Sequence, residues 1–297
     1  MPEQRPLEVV FLTNFTDFCY RSIPAIAQMA DDFSMRLTIV NTTHNRQPTA
    51  DDRTRLKSFF PEADSYSRCR RIVTKGDPIE AVKRLGMVDH IDLLIAPASD
   101  PLGLPHFWHS SLRTRLLRES RVPLWTIDRR TQPSRLRKAP QRVGCWIDFH
   151  KGWTNHLAFA AAYASATGAE LHVLHALPEI VEGRLLLNDE PLHRITIVEA
   201  VSREVNALAV PVRIHVAGSD TKRTRAKLME RTGLDIVFAA EQNTLLPSWL
   251  APRPRLMHES ICPVVYVPVD TFVPAWSISK ERDAPVDDFV FSLASSR

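Results

Sequence analysis

The sequence predicts an α/β fold: two doubly wound, mostly parallel five-stranded sheets with helices on both faces. Three observations carry this. Short apolar, β-rich runs alternate with helix-like segments, the order that a parallel sheet with crossover helices requires. The stretch from Asp92 to Asp128 reads strand, polar loop, helix, strand, which is half of such a unit. That stretch has an echo from Asp235 to Val267, where Leu-Leu-Arg-Glu-Ser-Arg-Val-Pro (116–123) returns as Leu-Met-His-Glu-Ser-Ile-Cys-Pro (256–263). A period as long as a whole domain means two domains rather than a solenoid.

The domains are expected over 1–130 and 142–268, joined by an exposed, proline-bearing linker over 131–141 and followed by a tail over 269–297. In the first, Leu7 to Asn14 is apolar and β-branched enough for a buried parallel strand. Asp17 is the expected cap of the next helix, whose apolar face holds Ile23, Ile26, Ala27, Met29 and Ala30. Arg36 to Asn41 is the second strand, residues 50–60 a short helix, and Arg70 to Val73 the third strand. Asp77 and Pro78 make a sharp helix start, with Glu80 placed to reach back to the cap and Gly86 as the expected stop.

The second copy begins at Val143. Asp148 aligns with Asn14, and Phe149 matches Phe15 at the same offset. An Ala-rich helix runs from Asn155 to Thr167 and ends at Gly168. Glu170 to Ala176 is a strand, Arg194 to Leu208 a helix, and Pro211 introduces the third strand. Asp220 aligns with Asp77 as a cap.

Composition fits two ordinary cores: 297 residues, 44% hydrophobic and 24% charged. No apolar run approaches the roughly 18 residues of a membrane span, and the start of the chain lacks the pattern of a secretory signal. The four cysteines are dispersed and read as buried thiols of a reducing compartment, so the cytoplasm is expected. Net charge is +4, and ten Lys or Arg against two acidic residues fall between Arg113 and Arg142. That region reads as a solvated helix face plus basic linker, with polyanion or DNA binding as the weaker alternative.

Function is expected at the carboxyl ends of the strands, above all in the loop after Ala96. No Gly-x-Ser-x-Gly elbow, Walker lysine or His-Glu-x-x-His occurs, and no covalent nucleophile, catalytic residue or metal site is assigned. His106 and His109 form too small a pair for a metal. His172 and His175, three apart on a strand, face opposite ways. His150 and Lys151 follow a strand end where an anion site and a solvated turn are equally compatible.

The Asn or Asp ending the first strand, the Gly-Asp-Pro-x-Glu-Ala helix start, the Asp-Leu-Leu-Ile strand and the helix ending Glu-Ser-x-x-Pro follow in order, an order largely repeated in the second half. On these, each half resembles a universal stress protein domain, and the chain resembles a tandem universal stress protein. The resemblance covers residues 7–128 and 142–268. It implies an adenine-nucleotide alpha-hydrolase-like architecture with the halves paired as a pseudo-dimer, further dimerisation being open.

Family members that bind ATP carry Gly-x2-Gly-x9-Gly-Ser/Thr after the fourth strand, because glycines let backbone N–H groups approach phosphate at a helix start. Here Pro97, Asp100, Ser110 and Ser111 stand at those positions, and only Ser111 keeps the pattern. The second half has no glycine after Gly233. The acidic residue that contacts adenosine in nucleotide-binding members is Asp148 in one half and Asn14 in the other. Asn14, Asp148, Asp100, Ser110 and Ser111 are therefore expected to mark degenerate nucleotide sites. The expected function is a non-catalytic stress-response protein without a required cofactor, acting through a protein partner or a small adenine-containing ligand. The alternative is an ATP-binding or weakly hydrolysing member with an altered loop.

Overall fold

The computed structural model describes residues 6–43, 46–66, 68–98, 112–136, 139–149, 152–177, 190–206, 208, 210–218, 221–240, 256, 260–268 and 271, with the backbone alone over 190–194. The first half contributes β1 (Leu7–Leu12), α1 (Asp17–Asp32), β2 (Met35–Thr43), α2 (Ala50–Ser58), β3 (Cys69–Lys75), α3 (Pro78–Val88), β4 (Leu93–Ile95), α4 (Leu112–Ser120) and β5 (Leu124–Thr126). The second contributes β6 (Arg142–Trp146), α5 (Trp153–Thr167), β7 (Glu170–Ala176), α6 (Glu190–Val205), β8 (Val212–Ala217), α7 (Lys222–Thr232), β9 (Ile236–Ala240) and β10 (Val264–Val267).

Among the described residues ten strands form one sheet in the order β3-β2-β1-β4-β5-β10-β9-β6-β7-β8. Every neighbouring pair is parallel except β5 with β10, where Leu124, Trp125 and Thr126 face Tyr266, Val265 and Val264 antiparallel. The expectation of two separate five-stranded sheets is corrected accordingly. Each half keeps its five strands, in mirrored order, but the last strand of each finds the other. A short apolar strand left at an edge would present unpaired N–H and C=O groups, and this pairing removes both such edges at once.

Helices cover both faces. Phe18, Ile26 and Met29 of α1, Leu56 of α2, Leu157 and Phe159 of α5, and Ile197 and Val201 of α6 share a core with Val9, Phe11, Val143 and Cys145. On the other face Ile79 and Val82 of α3, Leu116 and Leu117 of α4, and Leu228 and Met229 of α7 meet Val10, Leu12, Leu94 and Val237. The alternation within β1 is the period-two rule of a strand with both faces buried.

Asp92 and Asp235 explain the acidic residue ahead of the fourth strand. Asp92 donates its N–H to the Glu8 carbonyl and accepts the Glu8 N–H on Oδ2, both at 2.9 Å. Asp235 does the same to Arg142, the counterpart of Glu8 in the second copy, at 2.9 and 3.1 Å. The carboxylate fixes where the first strand of each half enters the sheet.

Several local expectations change. Thr16, not Asp17, is the N-cap of α1, and Asp17 lies in the first turn. Asp77 caps α3 by accepting from Ile79 N at 2.7 Å, but the helix passes Gly86 and ends at Val88. Thr221 caps α7, and Asp220 lies outside the described residues. The segment after Asp128 is anchored as well as exposed: Gln132, Pro133, Ser134 and Gln141 lie open, while Thr131 and Leu136 are buried. Gln132 N donates to Ile261 O at 2.9 Å, Arg21 reaches Thr131 O at 2.6 Å, and Leu136 is buried in a 3-10 turn over Pro133–Leu136. Arg135 Nη1 donates to Gly233 O at 2.6 Å and to Asp235 Oδ1 at 2.8 Å. Prolines make the segment look loose in sequence, whereas tertiary contacts hold it.

Candidate functional site

In each half the chain crosses from one side of the sheet to the other between its first and fourth strands: β2 and β4 flank β1, and β7 and β9 flank β6. A crevice opens beyond the carboxyl ends at such switch points. Asn14 and Asp148 stand there, just past the ends of β1 and β6.

The two positions share a backbone device that the sequence did not announce. Phe15 has φ 60° and Phe149 φ 53°, the left-handed region that a bulky residue enters only with strain. Packing holds each ring. Phe15 meets Phe59 edge-on at 5.4 Å, with the Arg55 guanidinium 4.3 Å from its centroid. Phe149 lies 5.1 Å from Trp153 and 4.9 Å from His175. The only sequence signal is a phenylalanine that follows the site residue in both copies.

A second matched device lies beneath. Asn41 Nδ2 donates to the Thr13 carbonyl at 2.8 Å, and His175 Nδ1 donates to the Ile147 carbonyl at 2.6 Å. Asn41 and His175 are separated by the same offset as Asn14 and Asp148, and both are buried. Each clamps the carbonyl just before the site residue, so the strand end is fixed from the neighbouring strand.

The site residues differ. Asn14 Oδ1 takes Thr16 N at 3.3 Å, Thr16 Oγ1 at 2.8 Å and Cys19 Sγ at 3.2 Å. It closes a local turn ahead of α1. Asp148 carries a charge and accepts Trp146 Nε1 at 3.0 Å. In the first turn of α5, His156 is buried, and burial lowers its pKa. Backbone acceptors at Gly152 and Trp146 and the Asp148 charge pull it the other way without overcoming burial, so this imidazole is neutral near pH 7.

Asp100, Ser110 and Ser111 lie outside the described residues, as do His106, His109, His150 and Lys151. The approach to that loop is described. Ala96 N donates to Trp125 O at 3.1 Å and Ala98 N to Ile127 O at 3.0 Å, with Pro97 buried between them. The chain is still bonded to the β5 side at Ala98, and its N–H groups there are committed to that neighbour.

Arg113, in sequence only a member of the basic region, is buried in the first turn of α4. It donates to Thr126 Oγ1 at 3.2 Å, Ile127 O at 3.4 Å and Asp128 Oδ2 at 3.2 Å. Arg115 pairs with Asp77 at 3.0 Å. His172 and His175 do face opposite ways, the first contacting His215 and Glu170, the second Ile147 and Phe149. Among the described residues no group of three or more His, Cys, Asp or Glu is placed to hold a metal, and no helix is long and apolar enough to cross a membrane. The four cysteines are free thiols; burial pushes Cys145 up and Cys262 up to about 12, well away from a reactive thiolate.

No protein-family model matches the sequence, and no curated protein matches it. Solved structures do. A universal stress protein from Archaeoglobus fulgidus superposes with a TM-score of 0.60 at 14% identity, over 88% of this chain and 98% of that one. A putative universal stress protein from Pseudomonas aeruginosa gives 0.56 at 14% identity, over 89% and 93%. The cytoplasmic domain of a prokaryotic cation chloride cotransporter gives 0.51 at 10% identity, over 94% and 98%. At such identities the likeness is one of fold, and the fold of this chain is of the universal stress protein kind.

Proposed function

We propose that the chain is a non-catalytic, cytoplasmic stress-response protein of the universal stress protein type, acting by binding through degenerate nucleotide sites. One observation carries the reading. Two matched strand-end sites exist, each at a switch point with a strained phenylalanine and a clamped carbonyl, yet one presents neutral Asn14 and the other charged Asp148. The β5–β10 junction supports a pseudo-dimer of the two halves. Arg113, Arg115 and Arg135 are engaged with carboxylates, which supports a small ligand or protein partner over a polyanion.

Tight ATP binding is disfavoured in the first half. Pro97 supplies no N–H, and Ala98 gives its own to Ile127 O. Asp100 adds a negative charge at a position the family gives to glycine. Repulsion from a phosphate a few ångströms away is about 1 kcal/mol in water and about 4 kcal/mol at a surface-like dielectric. Each lost charge-assisted hydrogen bond removes roughly 1.5–3 kcal/mol more. Asp148 retains an acceptor suited to a nucleoside, so adenosine or a related small ligand fits the second half better than ATP.

Calorimetric titration with ATP and magnesium tests this on the wild type and on Pro97→Gly/Asp100→Gly. The wild type is expected to show no tight binding, and the double variant to gain affinity that Ser111→Ala removes. A wild-type dissociation constant in the low micromolar range would overturn the reading in favour of an altered ATP loop.

A further inference from the structure

The second half holds a buried cluster that the strand-end sites do not use. His172 on β7 and His215 on β8 stack with planes 6° apart, and His172 Nδ1 lies 3.0 Å from His215 Nε2. On its other side His172 Nε2 lies 3.0 Å from Glu170 Oε2, and Arg213 bonds the second oxygen of Glu170. Both rings are buried. Among the described residues β8 is one of the two outer strands of the sheet. We propose that His172 and His215 form a proton-operated lock on the β7–β8 edge, closed while their nitrogens share a hydrogen bond and open when both imidazoles are protonated.

Atom roles set the states. An ionised carboxylate only accepts, so His172 Nε2 carries hydrogen toward Glu170. His172 Nδ1 then accepts from His215 Nε2–H. One extra proton keeps a single hydrogen between the rings. A second puts N–H against N–H at 3.0 Å, beside two like charges, and the contact fails.

The surroundings resist that charge. Burial lowers the His215 pKa to about 4, aided by His172, Arg213 on β8 and Arg231 on α7, against the pull of Glu170. Burial likewise lowers His172, opposed by Glu170 on β7 and aided by Arg213 and by Arg142 on β6. Burial pushes Glu170 up, but its bonds from Arg213 and His172 outweigh this and its net shift is downward. The unfolded chain therefore takes up these protons more readily than the folded one. The stabilisation is full above the unfolded value of about 6.5 and is lost as pH falls toward 4.

The first half is an internal control. Strand pairing places Thr38 beside Arg70 and Val40 beside Ile72 where the second half has His172 beside Arg213 and Leu174 beside His215. β3 contains no histidine.

Hydrogen exchange of the whole protein, corrected for the intrinsic rate at each pH, is the test. Protection of residues 212–217 relative to 69–75 is expected to fall at least about tenfold between about pH 6.5 and 4.5 in the wild type. In His172→Gln/His215→Gln, which keeps His156 and His175, the ratio is expected to stay level. A wild-type ratio independent of pH, or the same fall in the double variant, overturns the proposal. Should the variant not fold, imidazole NMR titration of the wild type decides. Coupled titration of the two rings below the ordinary histidine range supports the lock, and two independent, ordinary titrations overturn it.

Discussion

Asn41 and His175 solve one problem with different chemistry. A carbonyl at the end of a central parallel strand has no further ladder partner, and each side chain donates to it from the adjacent strand. Leaving such a buried acceptor unmet costs about 1–3 kcal/mol. Asn41→Leu and His175→Leu are therefore each expected to lose that much in urea unfolding. His175→Asn, the first half's own solution, is expected to lose clearly less, giving up chiefly the ring contact with Phe149. Equal losses for His175→Asn and His175→Leu would show that ring packing rather than the hydrogen bond matters. In sequence both residues stand inside apolar runs, but a donor and an acceptor on different strands leave no local pattern. The strain at Phe15 and Phe149 is hidden for the same reason, because a left-handed phenylalanine is held by rings from other elements.

Elements whose signal is local were legible. The apolar run of β1, the Asp77-Pro78 start of α3 and the Gly168 stop of α5, with φ 69°, follow from backbone chemistry between near neighbours. The end of α3 lies beyond the expected stop because Gly86 adopts no positive φ and the helix runs on. The segment around Thr131–Leu136 keeps the exposed positions Gln132, Pro133 and Ser134 but is also anchored, because proline and basic residues look alike whether solvated or docked. Arg135 decides the matter. It joins the buried Asp235 carboxylate and the Gly233 carbonyl, and Asp235 in turn holds Gln141 N and Arg142 N at the mouth of β6. Losing one side of a buried ion pair costs about 3–5 kcal/mol. Arg135 is partly exposed and Asp235 keeps its two backbone donors, so Arg135→Ala is expected to lose less, about 1–3 kcal/mol. A loss near zero in the same unfolding measurement would mean the segment is a passive tether.

At the scale of the whole molecule, the alternation of strands and helices was legible and their assembly into one sheet was not. Glu-Ser-x-x-Pro recurs before a β run, but nothing in strands as short as β5 and β10 says which edge each will meet. The antiparallel β5–β10 pair joins the two halves into one sheet, whose outer strands among the described residues are β3 and β8. The strand-end geometry is kept in both halves, while the site residue is a carboxylate at Asp148 and an amide, tied into a turn with Thr16 and Cys19, at Asn14. On the proposed function, one half has kept a usable ligand position and the other has not. Calorimetric titration with adenosine tests it most directly, on the wild type, Asp148→Ala and Asn14→Ala. One binding event per chain is expected, abolished by Asp148→Ala and unchanged by Asn14→Ala. Two equal sites, or adenosine binding that survives Asp148→Ala, would contradict it.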